Sequence, residues 1–132
     1  MDKKYYTVEE ANKLLSKVKP ILTKMVKLQR ALSSIEGVTV SFNEEFMAYA
    51  HAIAVSEKYY KISAELYREL KKLLDVGCIV KDARIGLIDF YSQRNGEDIF
   101  LCYHLGEEEI TMWHDAVSGF QGRQPISLLE KV

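Results

Sequence analysis

A carboxylate, a thiol and an imidazole fall on one side of a single alternating stretch of this chain. Between Gly86 and His114 the sequence reads GLIDFYSQRNGEDIFLCYHLGEEEITMWH. Asn95-Gly96 is its turn signal, since a type I′ turn needs positive φ at both central residues. With those two at the tip, Arg94 pairs with Glu97, Tyr91 with Phe100, Asp89 with Cys102 and Leu87 with His104. Directly opposed residues share a face of a sheet. One face then carries Ile88, Phe90, Ile99, Leu101, Tyr103 and Leu105, and the other carries Leu87, Asp89, Tyr91, Phe100, Cys102 and His104. A one-residue slip would drive Asp89 into the core, so the pattern specifies the register. The mixed face offers donors suited to a divalent metal, and the residue types of a nucleophile with its base. The plainer alternative is a carboxylate satisfied by local hydrogen bonds, a thiol acting as a small buried hydrophobe, and an imidazole facing water.

The next turn, Gly106-Glu107-Glu108-Glu109, leads into Ile110-Thr111-Met112-Trp113-His114, and two registers compete there. If Ile110 and Met112 join the core face, Thr111 and Trp113 stand beside Cys102 and His104. A three-residue loop would bring His114 to that face instead. The first register buries two apolar residues and is the expectation.

Those strands need a body to lie on, and the chain before them supplies it. Thr7-Val8-Glu9-Glu10 has the form of a capping box. The helix it opens carries Ala11, Leu14, Val18, Ile21, Met25, Leu28, Leu32 and Ile35 at alternating steps of three and four, a heptad seam widened by Leu15, Leu22 and Val26. Pro20 removes one hydrogen bond and predicts a bent helix with an intact seam. Glu36-Gly37 ends it, and Val38-Thr39-Val40 is a short extended connection. Ser41 with Glu44 fits a second capping box, so a second helix is expected from about Phe42 to Val76, closed by Gly77. That helix has two apolar stripes: Phe46, Tyr49, Ile53, Tyr60, Tyr67, Leu70 and Leu74, and Ala52, Val55, Tyr59, Ile62, Leu66 and Leu73. A helix apolar on two sides must be covered on two sides. About 35 helical residues span roughly 50 Å, while a compact domain of this size has a radius of gyration near 14 Å. The hairpin therefore overhangs its sheet, which predicts a homodimer or larger assembly. Cys78-Ile79-Val80-Lys81-Asp82 reads as an edge strand, and the tail from Asp115 as mostly extended or looped.

The expected fold is α+β in one domain, residues 1–132: a long antiparallel two-helix hairpin over about 7–76, a small antiparallel β-meander over about 78–114, and an extended tail over 115–132. At 132 residues the chain can bury one core. A net charge of −1 gives no general case for nucleic acid or a membrane surface. Residues 1–35 do hold eight Lys or Arg against three acids. No aromatic residues interleave with those lysines, so the basic face reads as solvated. No apolar run approaches the roughly 18 residues of a membrane span, and MDKKYYTVEE lacks the apolar segment of a secretory signal. Cys78 and Cys102 have no metal-ligand spacing between them. The expectation is a cytoplasmic protein with reduced thiols.

Several segments together resemble the domain-of-unknown-function family numbered 2203, small bacterial and archaeal proteins. They are Thr7-Val8-Glu9-Glu10-Ala11-Asn12 with Leu14-Leu15, Val80-Lys81-Asp82, Gly86-Leu87-Ile88-Asp89-Phe90, Leu101-Cys102-Tyr103, Gly106-Glu107, Trp113-His114, and Gly119-Phe120 with Gly122-Arg123 and Pro125. The chain departs from the family's habit at Tyr91 and Glu108, where proline is usual, and at His104, where a basic residue is usual. His104 therefore falls outside any shared chemistry. The resemblance implies that Asp89, Cys102, Glu107, His114 and Arg123 are the polar residues to watch, and it implies no particular reaction.

Three functions follow from these residues. Asp89, Cys102, Glu107, His114 and Arg123 can form a site for a small ligand or a divalent metal, with Arg123 suited to an anionic group. The helical hairpin can dock a protein partner, with the sheet as its base. Cys102, His114 and Asp89 can be drawn as an enzyme's nucleophile arrangement, against which stands the inertness of a strand-buried thiol. No Gly-rich phosphate loop, nucleophile elbow or metal-spaced histidine pair is present. The five polar residues are expected to converge, the tail folding back to bring Arg123 over the sheet, where it would bond Asp89 or Glu107.

Overall fold

The computed structural model describes residues 3–36 and 44–129. Helix α1 (Val8–Glu36) opens on the capping box read from the sequence: the Thr7 hydroxyl accepts from the Glu10 amide at 3.1 Å, and the Glu10 carboxylate accepts from the Thr7 amide at 3.0 Å. The helix continues unbroken through Pro20. Its buried side runs Ala11, Leu15, Val18, Leu22, Met25, Val26 and Leu32, while Leu14, Ile21 and Leu28 are half-buried beside it. Helix α2 (Glu45–Val76) is capped by Gly77, whose amide reaches the carbonyls of Leu73 and Leu74. Glu44 precedes it in extended backbone and makes no side-chain cap. The expected Ser41 cap and the Phe42 start lie outside the described residues, as do Gly37 and the 38–40 connection.

The strands are β1 (Cys78–Asp82), β2 (Leu87–Arg94), β3 (Glu97–His104), β4 (Met112–Asp115) and β5 (Gln124–Pro125), in one antiparallel sheet ordered as in the chain. The arrangement is α+β. Asn95 (φ 52°) and Gly96 (φ 79°) form the tip of the β2–β3 hairpin. Its register pairs Arg94 with Glu97, Asp89 with Cys102 and Leu87 with His104. Ile88, Phe90, Ile99, Leu101 and Tyr103 are buried on the face that joins both helices in one core. Beyond the end of β1 the N-terminal tail takes over the pairing: the Tyr6 amide donates to the Tyr91 carbonyl at 2.8 Å, and the Tyr6 hydroxyl donates to the Val76 carbonyl. The tail after Asp115, expected to be extended or looped, contains two 3-10 turns around β5.

The second register differs from the expectation. Cys102 pairs with Met112, Leu101 with Trp113, and Phe100 with His114. Trp113 thus joins the buried core face, and His114, with Met112, joins the face of Asp89 and Cys102. The reason lies between the strands. Alternation does not run through residues 107–111, because they bend across the end of the sheet instead of extending. The Glu107 carboxylate accepts from the His104 amide at 2.8 Å, the Tyr103 hydroxyl donates to the Glu107 carbonyl at 2.8 Å, and Asn12 of α1 accepts from the Ile110 amide at 2.8 Å. Ile110 is buried from this loop, so β4 is free to turn the larger indole inward.

The two helices are also joined by a charge clamp. Glu69 of α2, buried between the helices, accepts from Lys72 at 3.0 Å and meets Lys24 of α1 at 3.3 Å. Burial pushes this carboxyl up, and the hydrogen bonds from Lys72 and Lys24 outweigh it and hold the group below the ordinary carboxylate range. A carboxylate of depressed folded-state pKa stabilises the fold above its unfolded value, and that contribution disappears as the pH falls through the folded value. Urea midpoints should therefore drop between about pH 5 and pH 3, and Glu69→Gln should flatten part of that limb. An acid limb identical in the variant and the parent would exclude Glu69 as a contributor.

Candidate functional site

The mixed face of the sheet brings Asp89, Cys102 and His114 together from three adjacent strands. One oxygen, one sulfur and one nitrogen from these residues all lie within 4.8 Å of one another. All three are buried, with exposures of 1%, 4% and 4%. Cross-strand pairing sets Asp89 beside Cys102, and the offset of β4 sets His114 beside Phe100, one position along.

The hydrogen bonding fixes the imidazole. His114 Nδ1 lies 2.9 Å from the carbonyl oxygen of Asp115, which can only accept, so Nδ1 carries a proton. Nε2 therefore faces inward, 3.0 Å from Asp89 Oδ2, with one proton shared between them. The ring is stacked on Phe100 at 5.1 Å between centroids and 25° between planes. Asp89 also meets the Lys81 ammonium at 3.8 Å, and that ammonium lies 5.7 Å above the Phe100 ring. Lys81 reaches the cluster from a β-bulge, where the pairing jumps from Val80–Ile88 to Asp82–Leu87.

Cys102 is held as a thiol. Burial pushes its pKa up first, and the neighbouring Asp89 charge and the hydrogen bond to Asp89 push it further. Arg123 and Glu107 act on the same thiol from outside the cluster, Arg123 favouring the thiolate and Glu107 opposing it. Arg123 is exposed on the tail. Glu107 is half-buried and engaged with the His104 amide and, at 3.3 Å, with the Thr111 hydroxyl, so its local task is to shape the turn. Of the five residues marked by the sequence, three form the cluster and two flank it. His104 is exposed at the end of β3. Cys78 is buried in the main core, its thiol pushed up to about 12 by burial.

Sequence reasoning did not single out Lys81 or the Phe100 ring as parts of this site. The hairpin register had already placed Phe100 on the mixed face, and alternation from Ile79, opposite Asp89, sets Lys81 there too. The remaining requirement was the position of His114, which depends on the second turn.

Fold and cluster together define a small α+β protein, a helical hairpin on a meander sheet whose outer face holds a buried oxygen, sulfur and nitrogen donor set. The chain belongs to the family described as Uncharacterized conserved protein (DUF2203), which it matches over residues 4–126. No curated protein and no solved structure matches it. Among the described residues no helix is long and apolar enough to cross a membrane.

Proposed function

We propose that this protein binds a divalent transition metal of the zinc class through Asp89, Cys102 and His114. The observation that carries the reading is the buried set of three different donor atoms within 4.8 Å of one another. Three protein ligands leave a fourth position of a tetrahedral ion for water or a ligand. The Nδ1 contact to the Asp115 carbonyl supports it, because such a bond orients a ligating imidazole and leaves Nε2 for the ion. Binding displaces the proton shared by His114 and Asp89 and the proton of the Cys102 thiol, as coordination to a dication does. Lys81 must withdraw from Asp89, and its side chain is 45% exposed and has solvent to move into. Arg123, on the solvent side, suits an anionic group in the open position. A nucleophilic role for Cys102 is disfavoured by the same geometry, since the thiol bonds to Asp89 and is held protonated.

Protein purified without chelator is expected to carry one zinc-class ion per chain by elemental analysis. After stripping, zinc at about a hundred times its Kd should stabilise the fold by about 2.7 kcal/mol in thermal melts. Cys102→Ser and His114→Ala should each weaken binding at least tenfold, the scale on which even outer partners of a metal act. A stripped protein whose melting temperature ignores excess zinc, cobalt and nickel would defeat the proposal.

A further inference from the structure

Helix α2 leaves one side bare. Among the described residues, seven of the eleven exposed large apolar side chains belong to this helix: Phe46, Met47, Tyr49, Ile53, Tyr60, Tyr67 and Leu74. Phe46, Ile53, Tyr60, Tyr67 and Leu74 recur at a strict interval of seven, the period of a helix that packs against another helix. Between Glu44 and Lys61 no residue is buried at all, so this half of the helix has α1 beside it and little else.

We propose that a second copy of this chain covers the stripe, the two α2 helices lying antiparallel about a two-fold axis near Tyr60. Three observations select this occupant. The first is area: at roughly 200 Å² for each fully exposed large side chain, the six of these residues that share a side, all but Met47, present about 800 Å² per copy, the share of one partner in a standard stable interface. The second is pattern. Full overlap of α2 with its copy sets Ile53 opposite Tyr67, Phe46 opposite Leu74, and Tyr60 beside its own equivalent, so every large residue of the heptad meets another. The third is charge and shape at the ends. The acidic start of the helix, Glu44 and Glu45, meets the end of the partner's helix, where Lys4 and Lys71 bond to Asp75 and Lys3 lines the adjoining groove. That end also holds a groove of about 470 Å³ lined by Leu70, Leu74, Ile79, Val80 and Tyr91. Phe46 is the side chain that full overlap carries to its mouth, once in each direction, as an isologous contact requires.

Light scattering at micromolar concentration should give about 30 kDa, twice the 15.2 kDa chain. Ile53→Lys and Tyr60→Lys should return the mass to one chain with unchanged circular dichroism, since both sites are exposed within a single copy. Phe46→Ala should weaken association on the order of thirtyfold, as an interface anchor does. The direction of pairing has its own readout. Under mild oxidation Tyr60→Cys should link into a disulfide dimer and Phe46→Cys should not, because the two copies of position 46 sit at opposite ends. A single-chain mass for the parent protein overturns the proposal, as does a dimer that survives both lysine variants. Crosslinking through position 46 and not 60 overturns the antiparallel pairing.

Discussion

Replacing His114 with alanine is expected to destabilise the metal-free fold by about 3–5 kcal/mol, the cost of breaking a buried polar pair by removing one partner. Asp89 is 1% exposed and shares a proton with His114 Nε2 across 3.0 Å. Once that partner is gone, Asp89 retains contacts with the Lys81 ammonium at 3.8 Å and the Cys102 thiol. The informative companion is the double variant Asp89→Leu with His114→Leu. Replacing a buried ion pair by apolar residues of similar volume is often neutral or stabilising, so the double variant should lie within about 1 kcal/mol of the parent. Urea unfolding in the presence of a chelator measures both, and the chelator keeps any metal contribution out of the comparison. A double variant as unstable as His114→Ala would mean that the pair is needed for packing at that site, and the account of an unpaired carboxylate would fail.

Gly86→Ala is expected to cost about 2–4 kcal/mol, the sum of a strained backbone and an overpacked contact. Gly86 has φ 73°, and a Cβ there would stand 2.7 Å from Cβ of Leu105 and 3.3 Å from a methyl of Val26. Neither neighbour can easily yield. Val26 belongs to the buried side of α1, and the Leu105 amide is bonded to the Gly86 carbonyl at 3.0 Å. Gly96→Ala is the control. Its φ is 79°, but nothing lies within 4 Å of the added carbon. It should lose only the backbone term, about 1 kcal/mol. Equal losses at the two glycines would show that the close approach to Leu105 relaxes without cost.

The contrast between the two turns explains how much of the site could be read from the sequence. The first turn is local: Asn95-Gly96 sets the tip, alternation sets the faces, and Asp89 next to Cys102 follows by counting. The second turn is held by side chains acting at a distance. Glu107 accepts from His104, and the Ile110 amide is satisfied by Asn12, 98 residues earlier in the chain. Counting faces through residues 107–111 therefore misplaced His114, although its residue type had been marked. The strand β5 was hidden for a related reason: it is two residues long and includes Pro125, which has no amide to donate. On the helical side, the cap at Thr7, the αL cap at Gly77 and the unbroken passage through Pro20 are all local chemistry. The bare stripe of α2 was legible because a period of seven in one helix does not depend on its neighbours.

Each strand of the sheet lies beside the strand that precedes it in the chain. Every pairing therefore closes a short loop, and the entropy lost in each closure is that of a turn, with no crossover between distant strands. The helical hairpin is local in the same sense. What joins these two halves includes a few clasps that span most of the chain: the Tyr6 amide on Tyr91, Asn12 on Ile110, and Lys3 on Asp98. The first and last of these tether the start of the chain to the hairpin that carries Asp89 and Cys102. The second sits on the turn that decides where His114 points. The donor set is thus completed by the docking of helix against sheet, and its last member is positioned only when the two halves meet.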